Sequence, residues 1–257
     1  MKRFIIAGNW KMNVPPSLDK YADTLTRAMR ELRVSATQAE VVLCPPSLYT
    51  ANVTSLCGKQ ISVGAQDISA FTSGAFTGEI SAAMLADFDV KYALVGHSER
   101  RAKHAETDEL VNRKAHAALA GGLFPIICVG ETLTERQDGK TREVLQRQTA
   151  EAIRGMTVED LGRVVFAYEP VWAIGTGLAA TANDAAVGAE AIFGASDVIA
   201  AAGCLILYGG SVTEENAESL LRVPELCGLL VGGKSLDADA FAQIVAAAQK
   251  ISDLGGK

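Results

Sequence analysis

Eight short apolar runs punctuate the chain, at residues 4–7, 41–43, 61–63, 92–95, 125–129, 164–168, 205–208 and 229–231. They recur about every 32 residues, the length of a strand, a helix and two loops. Their Val, Ile, Leu, Phe and Tyr content reads as strands buried on both faces. Several stretches between them carry helix signals. Ser17 can cap a helix whose apolar residues Leu18, Tyr21, Ala22, Leu25, Ala28, Met29 and Leu32 follow three-and-four spacing. Thr107, followed by Asp108 and Glu109, starts another. Strands alternating with helices build a parallel sheet, and eight such units in 257 residues match a closed α/β barrel, (β/α)8. No Pro-, Gly- or Ser-rich linker interrupts the pattern, so residues 1–257 read as one domain.

A parallel barrel puts the C-terminal ends of all its strands on one rim, where such folds carry their chemistry. Reading along that rim gives Asn9 and Lys11 after the first strand, Gln66 and Asp67 after the third, His97 and Glu99 after the fourth, and Glu131 after the fifth. Glu169 follows the sixth, Gly209-Gly210-Ser211 the seventh and Gly232-Gly233 the eighth. Together these residues converge on one pocket with a base, a polariser, a fixed positive charge and two glycine turns. The glycine turns suit a phosphate, because N–H groups unobstructed by Cβ make an anion site. The chain carries a formal charge of −6, so attraction for an anion must be supplied locally by Lys11 and these N–H groups.

The run 164–178 is the densest in information. Pro170 ends the sixth strand and holds Glu169 extended at its tip. Val171, Trp172, Ala173 and Ile174 are too apolar for an ordinary loop, and Gly175-Thr176-Gly177 supplies free backbone at the far end, which is the composition of a lid over 171–177. An ordinary proline turn with Glu169 salt-bridged to a neighbour is the plainer alternative. Residues 175–180 also match the dinucleotide pattern G-x-G-x-x-A, but six residues, Pro170 among them, separate the strand from the first glycine. That spacing excludes a nucleotide fold.

Other classes are excluded by charge and spacing. Net negative charge disfavours nucleic acid or an anionic membrane as the main partner. No run reaches the length of a membrane span, and 4–7 is too short for a signal-peptide core, so a cytoplasmic location is expected. Cys44, Cys57, Cys128, Cys204 and Cys227 are odd in number and contain no C-x-x-C pair, which suggests neither a disulfide framework nor a zinc site. His97-Ser98-Glu99 has the H-x-E of a zinc deaminase without its P-C-x-x-C, and His104 and His116 lie at no metal spacing, so no metal is assigned. Taken alone, Glu99-Arg100-Arg101 reads as a solvated ion-pair face.

In chain order, Asn9-Trp10-Lys11, Val95-Gly96-His97-Ser98-Glu99-Arg100-Arg101, Ala167-Tyr168-Glu169-Pro170-Val171-Trp172-Ala173-Ile174-Gly175-Thr176-Gly177, Tyr208-Gly209-Gly210-Ser211 and Leu230-Val231-Gly232-Gly233 resemble the signature blocks of the triosephosphate isomerase family. The resemblance covers nearly the whole chain. It implies a single-domain TIM barrel that interconverts dihydroxyacetone phosphate and D-glyceraldehyde 3-phosphate through an enediol(ate), in glycolysis and gluconeogenesis, with no cofactor. It further implies Glu169 as base, a neutral His97 donating to the developing oxyanion, and Lys11 and Asn9 completing the clamp; this family is itself the standard example of that base and histidine pairing. By the same resemblance, backbone groups at Gly175, Ser211, Gly232 and Gly233 hold the phosphate, and Glu99 supports the site. The partner implied is a second copy of the chain. The loop 66–79, which starts at Gln66 and ends at Glu79, would enter that neighbour, with Thr77 near its site and Glu79 facing its Arg100.

The chain departs from the family pattern in places. His104 and Ala105 replace a common Phe-Gly, Lys234 stands where Ala is common, and the segment 183–201 is short and rich in Ala and Gly, with Phe193 about where an arginine is usual. Two other functions compete. One is a catalytically silent phosphate-binding barrel acting as an interaction protein, against which Lys11, His97 and Glu169 argue. The other is a barrel glycosidase with Glu131 and Glu169 as its carboxylate pair, disfavoured by a 6% aromatic content.

Overall fold

A computed structural model describes residues 3–175 and 180–254. All eight expected strands form: β1 Phe4–Asn9, β2 Ala39–Cys44, β3 Ser62–Ala65, β4 Val90–Val95, β5 Phe124–Val129, β6 Val165–Tyr168, β7 Leu205–Tyr208 and β8 Gly228–Val231. They pair in parallel, in sequence order, and close on themselves. Closure runs from Ile5 opposite Gly228 to Gly8 opposite Val231. Here the strands approach so tightly that a Cβ on Gly228, whose φ is 151°, would lie 1.8 Å from the Ile5 carbonyl oxygen. Only glycine permits that seam.

Alternation along each strand divides the core into two layers. Ile5, Ala7, Val42, Cys44, Tyr92, Leu94, Ile126, Cys128, Val165, Ala167, Leu207 and Leu230 fill the barrel interior. Their neighbours, such as Phe4, Ile6, Leu43, Phe166 and Leu229, face outward into the larger cluster shared with the helices. Fully burying a side chain of this size stabilises by about 1.5–3 kcal/mol, so continuous β-branched runs are what a doubly covered sheet requires.

The helix Leu18–Glu31 begins where Ser17 accepts the Lys20 N–H, and buries Tyr21, Ala22, Leu25 and Met29 on one stripe. The helix Asp108–Ala120 is capped by Thr107 in the same way. The short, glycine-containing segment after β6 folds as two helices, Ala182–Phe193 and Asp197–Ala201, the first fixed by a capping box between Thr181 and Asp184. Phe193 packs partly buried against the core. Gly188 in this helix makes room for the Tyr168 ring, since a Cβ there would come within 2.4 Å of it.

The helix Ser98–His104 ends at Ala105, which holds φ 53° and ψ 35°, in the left-handed region. That conformation is the reason glycine suits this position: a Cβ there costs about 1–2 kcal/mol. Ala105→Gly should therefore stabilise the protein by roughly 0.5–1 kcal/mol once glycine's extra unfolded-state entropy is subtracted. Urea unfolding of both proteins measures this, and a less stable glycine variant would remove strain as the explanation.

Candidate active site

The C-terminal rim opens into a cavity of about 500 Å³ whose lining includes Asn9, Lys11, His97, Glu99, Glu169, Gly175, Ser211, Gly232, Gly233 and Lys234. Asn9, Lys11, His97, Glu99, Glu169, Ser211 and the Gly232-Gly233 turn thus border one space, as expected from the sequence. Of the lid 171–177, residues 171–175 are described: Val171–Ala173 form a single helical turn, and Gly175 sits exposed at φ 68°. Thr176 and Gly177, like Leu178 and Ala179 of the G-x-G-x-x-A stretch, lie outside the described residues.

Glu169 is the most constrained of these side chains. It is 1% exposed, and its backbone N–H is tied to the Val129 carbonyl at 2.8 Å. Gly130 alongside has no space for a side chain, because a Cβ would lie 1.7 Å from the Glu169 carbonyl oxygen. The carboxylate Oε2 accepts the Ser98 N–H at 2.8 Å. Its Oε1 lies 2.9 Å from His97 Nε2, close enough for strong attraction but without the alignment of a full hydrogen bond. Burial pushes the Glu169 pKa up, yet the adjacent His97 ring and the Ser98 N–H outweigh it and hold the carboxyl below its ordinary range.

His97 caps the helix Ser98–His104, its Nδ1 accepting the Glu99 N–H at 3.2 Å. An imidazole that accepts at Nδ1 carries its proton on Nε2 and is neutral. Burial also lowers the His97 pKa, but the adjacent Glu169 carboxylate more than reverses this and raises it. Glu99 adds a smaller raising influence, and the larger part depends on Glu169 being docked. When that carboxylate moves away, burial, the nearby Lys11 charge and the Nδ1 contact all favour the neutral ring.

Lys11 adopts φ 53°, rare for a residue with a Cβ. Three contacts hold it there: its N–H donates to Asn9 Oδ1 at 3.0 Å, its carbonyl accepts from Gln66 Nε2 at 2.8 Å, and its Nζ donates to Glu99 Oε1 at 2.7 Å. Strained backbone of this kind is found where a side chain must be aimed. On the other side of the cavity, Ser211 Oγ donates to the Ala173 carbonyl at 2.7 Å, joining the β7 turn to the run after Glu169. Among the described residues, no protein acceptor engages the N–H groups of Ser211 and Gly233. Lys234 Nζ lies 3.0 Å from Glu214 Oε2.

Three expectations need correction. Glu131 does not face the cavity: it is fully buried beneath the rim, its Oε1 accepting from Trp172 Nε1 at 2.7 Å and Tyr168 OH at 3.1 Å. It therefore cannot form a carboxylate pair with Glu169 across a substrate. Gln66 and Asp67 also stand outside the cavity; Gln66 braces Lys11, and Asp67 pairs with Arg100 and Lys114 at 2.8 and 2.6 Å. Glu99-Arg100-Arg101 is no solvated face. Arg101 donates to the carbonyls of Gly96 and Cys128 at 2.8 and 3.2 Å and to Asp108 at 2.6 Å, while Arg100 Nε reaches buried Glu106 at 2.6 Å. The sequence reading missed the Ser98 N–H, although the helix start it marks was visible after His97.

A closed parallel barrel whose rim joins a buried carboxylate to an imidazole, a lysine and glycine turns defines an acid–base enzyme of the TIM-barrel class. The model of one family, described as triosephosphate isomerase, matches residues 4–248. Relatives carrying that name include those of Thermoanaerobacter pseudethanolicus, 47% identical over 255 residues, covering 95% of this chain and 99% of the relative. That of Moorella thermoacetica is 48% identical over 249 residues, 95% and 98% respectively. That of Delftia acidovorans is 48% identical over 259 residues, 97% and 100%. The chain belongs to the triosephosphate isomerase family.

Because Ser98 is the first residue of its helix and His97 is already extended at φ −50° and ψ 140°, proline is tolerated at 98 while removing the N–H that holds Glu169. Ser98→Pro deletes a contact that lowers the Glu169 pKa, so that pKa rises. The acid limb of kcat/KM should accordingly move to higher pH. An unmoved limb would mean that Ser98 does not control this carboxylate.

Proposed function

We propose that the chain interconverts dihydroxyacetone phosphate and D-glyceraldehyde 3-phosphate by proton transfer through an enediol(ate), with Glu169 as the base. The observation that carries this is the convergence of Glu169, His97, Lys11 and Asn9 on one cavity beside two glycine turns. A base for this reaction removes a proton from the carbon beside the carbonyl and returns it to the neighbouring carbon. Glu169 is ionised and dry, as such a base requires, but its oxygens are engaged by Ser98 and His97. It must leave both to reach a substrate carbon. Its departure also frees His97 Nε2–H to donate to the substrate oxygen on which charge develops. Asn9 and Lys11 lie across the same space and complete the stabilisation of that oxygen.

The phosphate falls to Gly175, Ser211, Gly232 and Gly233, whose backbone N–H groups supply donors without bulk. The run after Glu169 then acts as the lid over 171–177. Closing it would exclude water from an intermediate able to lose its phosphate. No cofactor enters this scheme. The pathways served are glycolysis and gluconeogenesis, and the location that goes with them is the cytoplasm. Five unpaired cysteines agree with a reducing compartment, and no helix among the described residues is long and apolar enough to cross a membrane.

The same reading includes a homodimer built on the loop 66–79. Support comes from apolar side chains exposed beside the site: Met12 is 95% exposed, Leu48 is 87% exposed, and Phe71 and Phe76 stack at 3.9 Å within the loop. A second cavity, of about 240 Å³, is lined by Met12, Pro45, Pro46, Gln66 and Ile80 and is suited to receive a neighbour's loop tip. Thr77 would approach the neighbour's site, and Glu79 would face the partner subunit's Arg100.

Isomerisation of D-glyceraldehyde 3-phosphate by the purified protein, with no metal or nucleotide added, tests the function. Glu169→Gln should lower kcat by roughly 10²- to 10⁴-fold, the usual contribution of a positioned base, with phosphate binding retained. Near-normal turnover in that variant would remove Glu169 from its role, and phosphate binding without wild-type turnover would favour a silent barrel. Analytical ultracentrifugation should give twice the chain mass, and Met12→Arg should shift the protein toward monomer by placing a charge in an apolar interface. A monomeric wild type at micromolar concentration would end the dimer reading.

A further inference from the structure

The cavity is lined by two cations among the described residues, Lys11 and Lys234. Lys11 belongs to the reacting end and is engaged by Glu99. Lys234 follows Gly232-Gly233 directly and spans the gap to Glu214, its Nζ 3.1 Å from Oε1 and 3.0 Å from Oε2. Both partners stand on braced backbone. The β7 loop is fixed by Asn216, whose Oδ1 accepts the Thr213 N–H at 2.8 Å and whose Nδ2 donates to the Ser211 carbonyl at 3.0 Å. The β8 turn is fixed through Ser235, whose carbonyl accepts from Trp10 Nε1 at 3.1 Å and Tyr21 OH at 2.6 Å, and whose Oγ donates to the Gly232 carbonyl at 2.7 Å. The pair is thus hung between the two turns that supply the phosphate donors.

Electrostatics make this placement consequential. Glu214, Glu215 and Asp237 all act on Lys234. Without the lysine, Glu214 would stand uncompensated behind the two turns that receive an incoming phosphoryl dianion. With it, the nearest carboxylate is already compensated, and the ammonium needs only side-chain rotation to share itself with a phosphate. Because Lys234 is partly exposed, its exchange between the two anions requires no burial of bare charge.

We propose that Lys234 is a phosphate-affinity residue of this chain: a side-chain cation parked on Glu214 that binds the substrate phosphoryl group as it seats on the β7 and β8 turns. The inference rests on the isomerase reading for the identity of the substrate, but its anion chemistry is measurable without turnover. Affinity for inorganic phosphate is determined by calorimetry at low ionic strength for the wild type, Lys234→Ala and Glu214→Gln, alongside isomerisation of D-glyceraldehyde 3-phosphate and of unphosphorylated glyceraldehyde. Lys234→Ala should weaken phosphate binding and raise KM for the phosphorylated triose about 3- to 5-fold, the scale of one exposed charge contact, with the difference shrinking at high salt. Its kcat, and its kcat/KM for glyceraldehyde, should stay within about twofold of wild type, since the residue does not touch the reacting carbons. Glu214→Gln should tighten phosphate by releasing the lysine. Unchanged phosphate affinity in Lys234→Ala, or an equal loss with both trioses, overturns the proposal. Phosphate binding that responds to Lys234 in a protein that turns over no triose phosphate would overturn the isomerase reading instead.

Discussion

The site depends on keeping an ionised carboxylate in a place that water hardly reaches. A bare carboxylate with the 1% exposure of Glu169 would take up a proton. Two neighbours prevent this, the Ser98 N–H and the His97 ring, and both come from the first residues after β4. Much of the rim can be understood as supporting that contact. Gly130 lets β5 and β6 lie close enough to set the height of Glu169, and Arg101 ties the β4 turn to the carbonyls of Gly96 and Cys128. A carboxylate stored in this way is charged and dry in advance, as the proposed role of base requires, and the groups that store it are those it would leave in that role.

The barrel itself explains why such distant residues meet. Asn9 and Glu169 are 160 positions apart in sequence but sit at the ends of parallel strands, so the shared rim brings them together. Interior packing fixes the relative height of those ends, and the seam at Gly228 fixes the circle. The strained φ of Lys11 is affordable on this scaffold because Asn9, Gln66 and Glu99 each hold a different part of the residue.

The strands were legible because burial on both faces demands continuous apolar runs, which leave a plain mark in sequence. Their ends were also legible, and with them Asn9, Lys11, His97, Glu99, Glu169, Ser211 and the Gly232-Gly233 turn of the cavity wall, though not Val212 or Thr213. The direction of a side chain after a strand end was not. Glu131 lies two residues past β5 and Glu169 one residue past β6, so they stand out of step, and one turns under the rim and the other onto it. The difference lies in Trp172 and Tyr168, which supply donors beneath the rim and become neighbours of Glu131 only after folding. Arg100 and Arg101 were misread for a similar reason: their partners Asp67, Glu106, Asp108 and Cys128 are drawn from other strand ends and a following helix. The left-handed Ala105 leaves no mark in composition at all.

Glu131 joins the chemistry to the run that follows it. Its Oε1 holds Trp172 three residues beyond Glu169, and its backbone carbonyl accepts the Val171 N–H at 3.1 Å. Arg136 lies over the Trp172 ring at 4.1 Å while donating to Asp184 at 2.6 Å, and Asp184 also closes the capping box with Thr181. One guanidinium therefore touches both described ends of the segment that leaves β6 and returns to the helix Ala182–Phe193. Displacing Trp172 breaks its contact with a carboxyl group of which Oε2 already lacks a hydrogen bond, so the displaced arrangement needs a new partner for that buried polar group. The attachment at Trp172 resists drift and, being two residues from Pro170, resists it at Glu169 as well. The same few bonds thus oppose movement of Glu169 and movement of the run beyond it, which is the physical basis for expecting the two to move together.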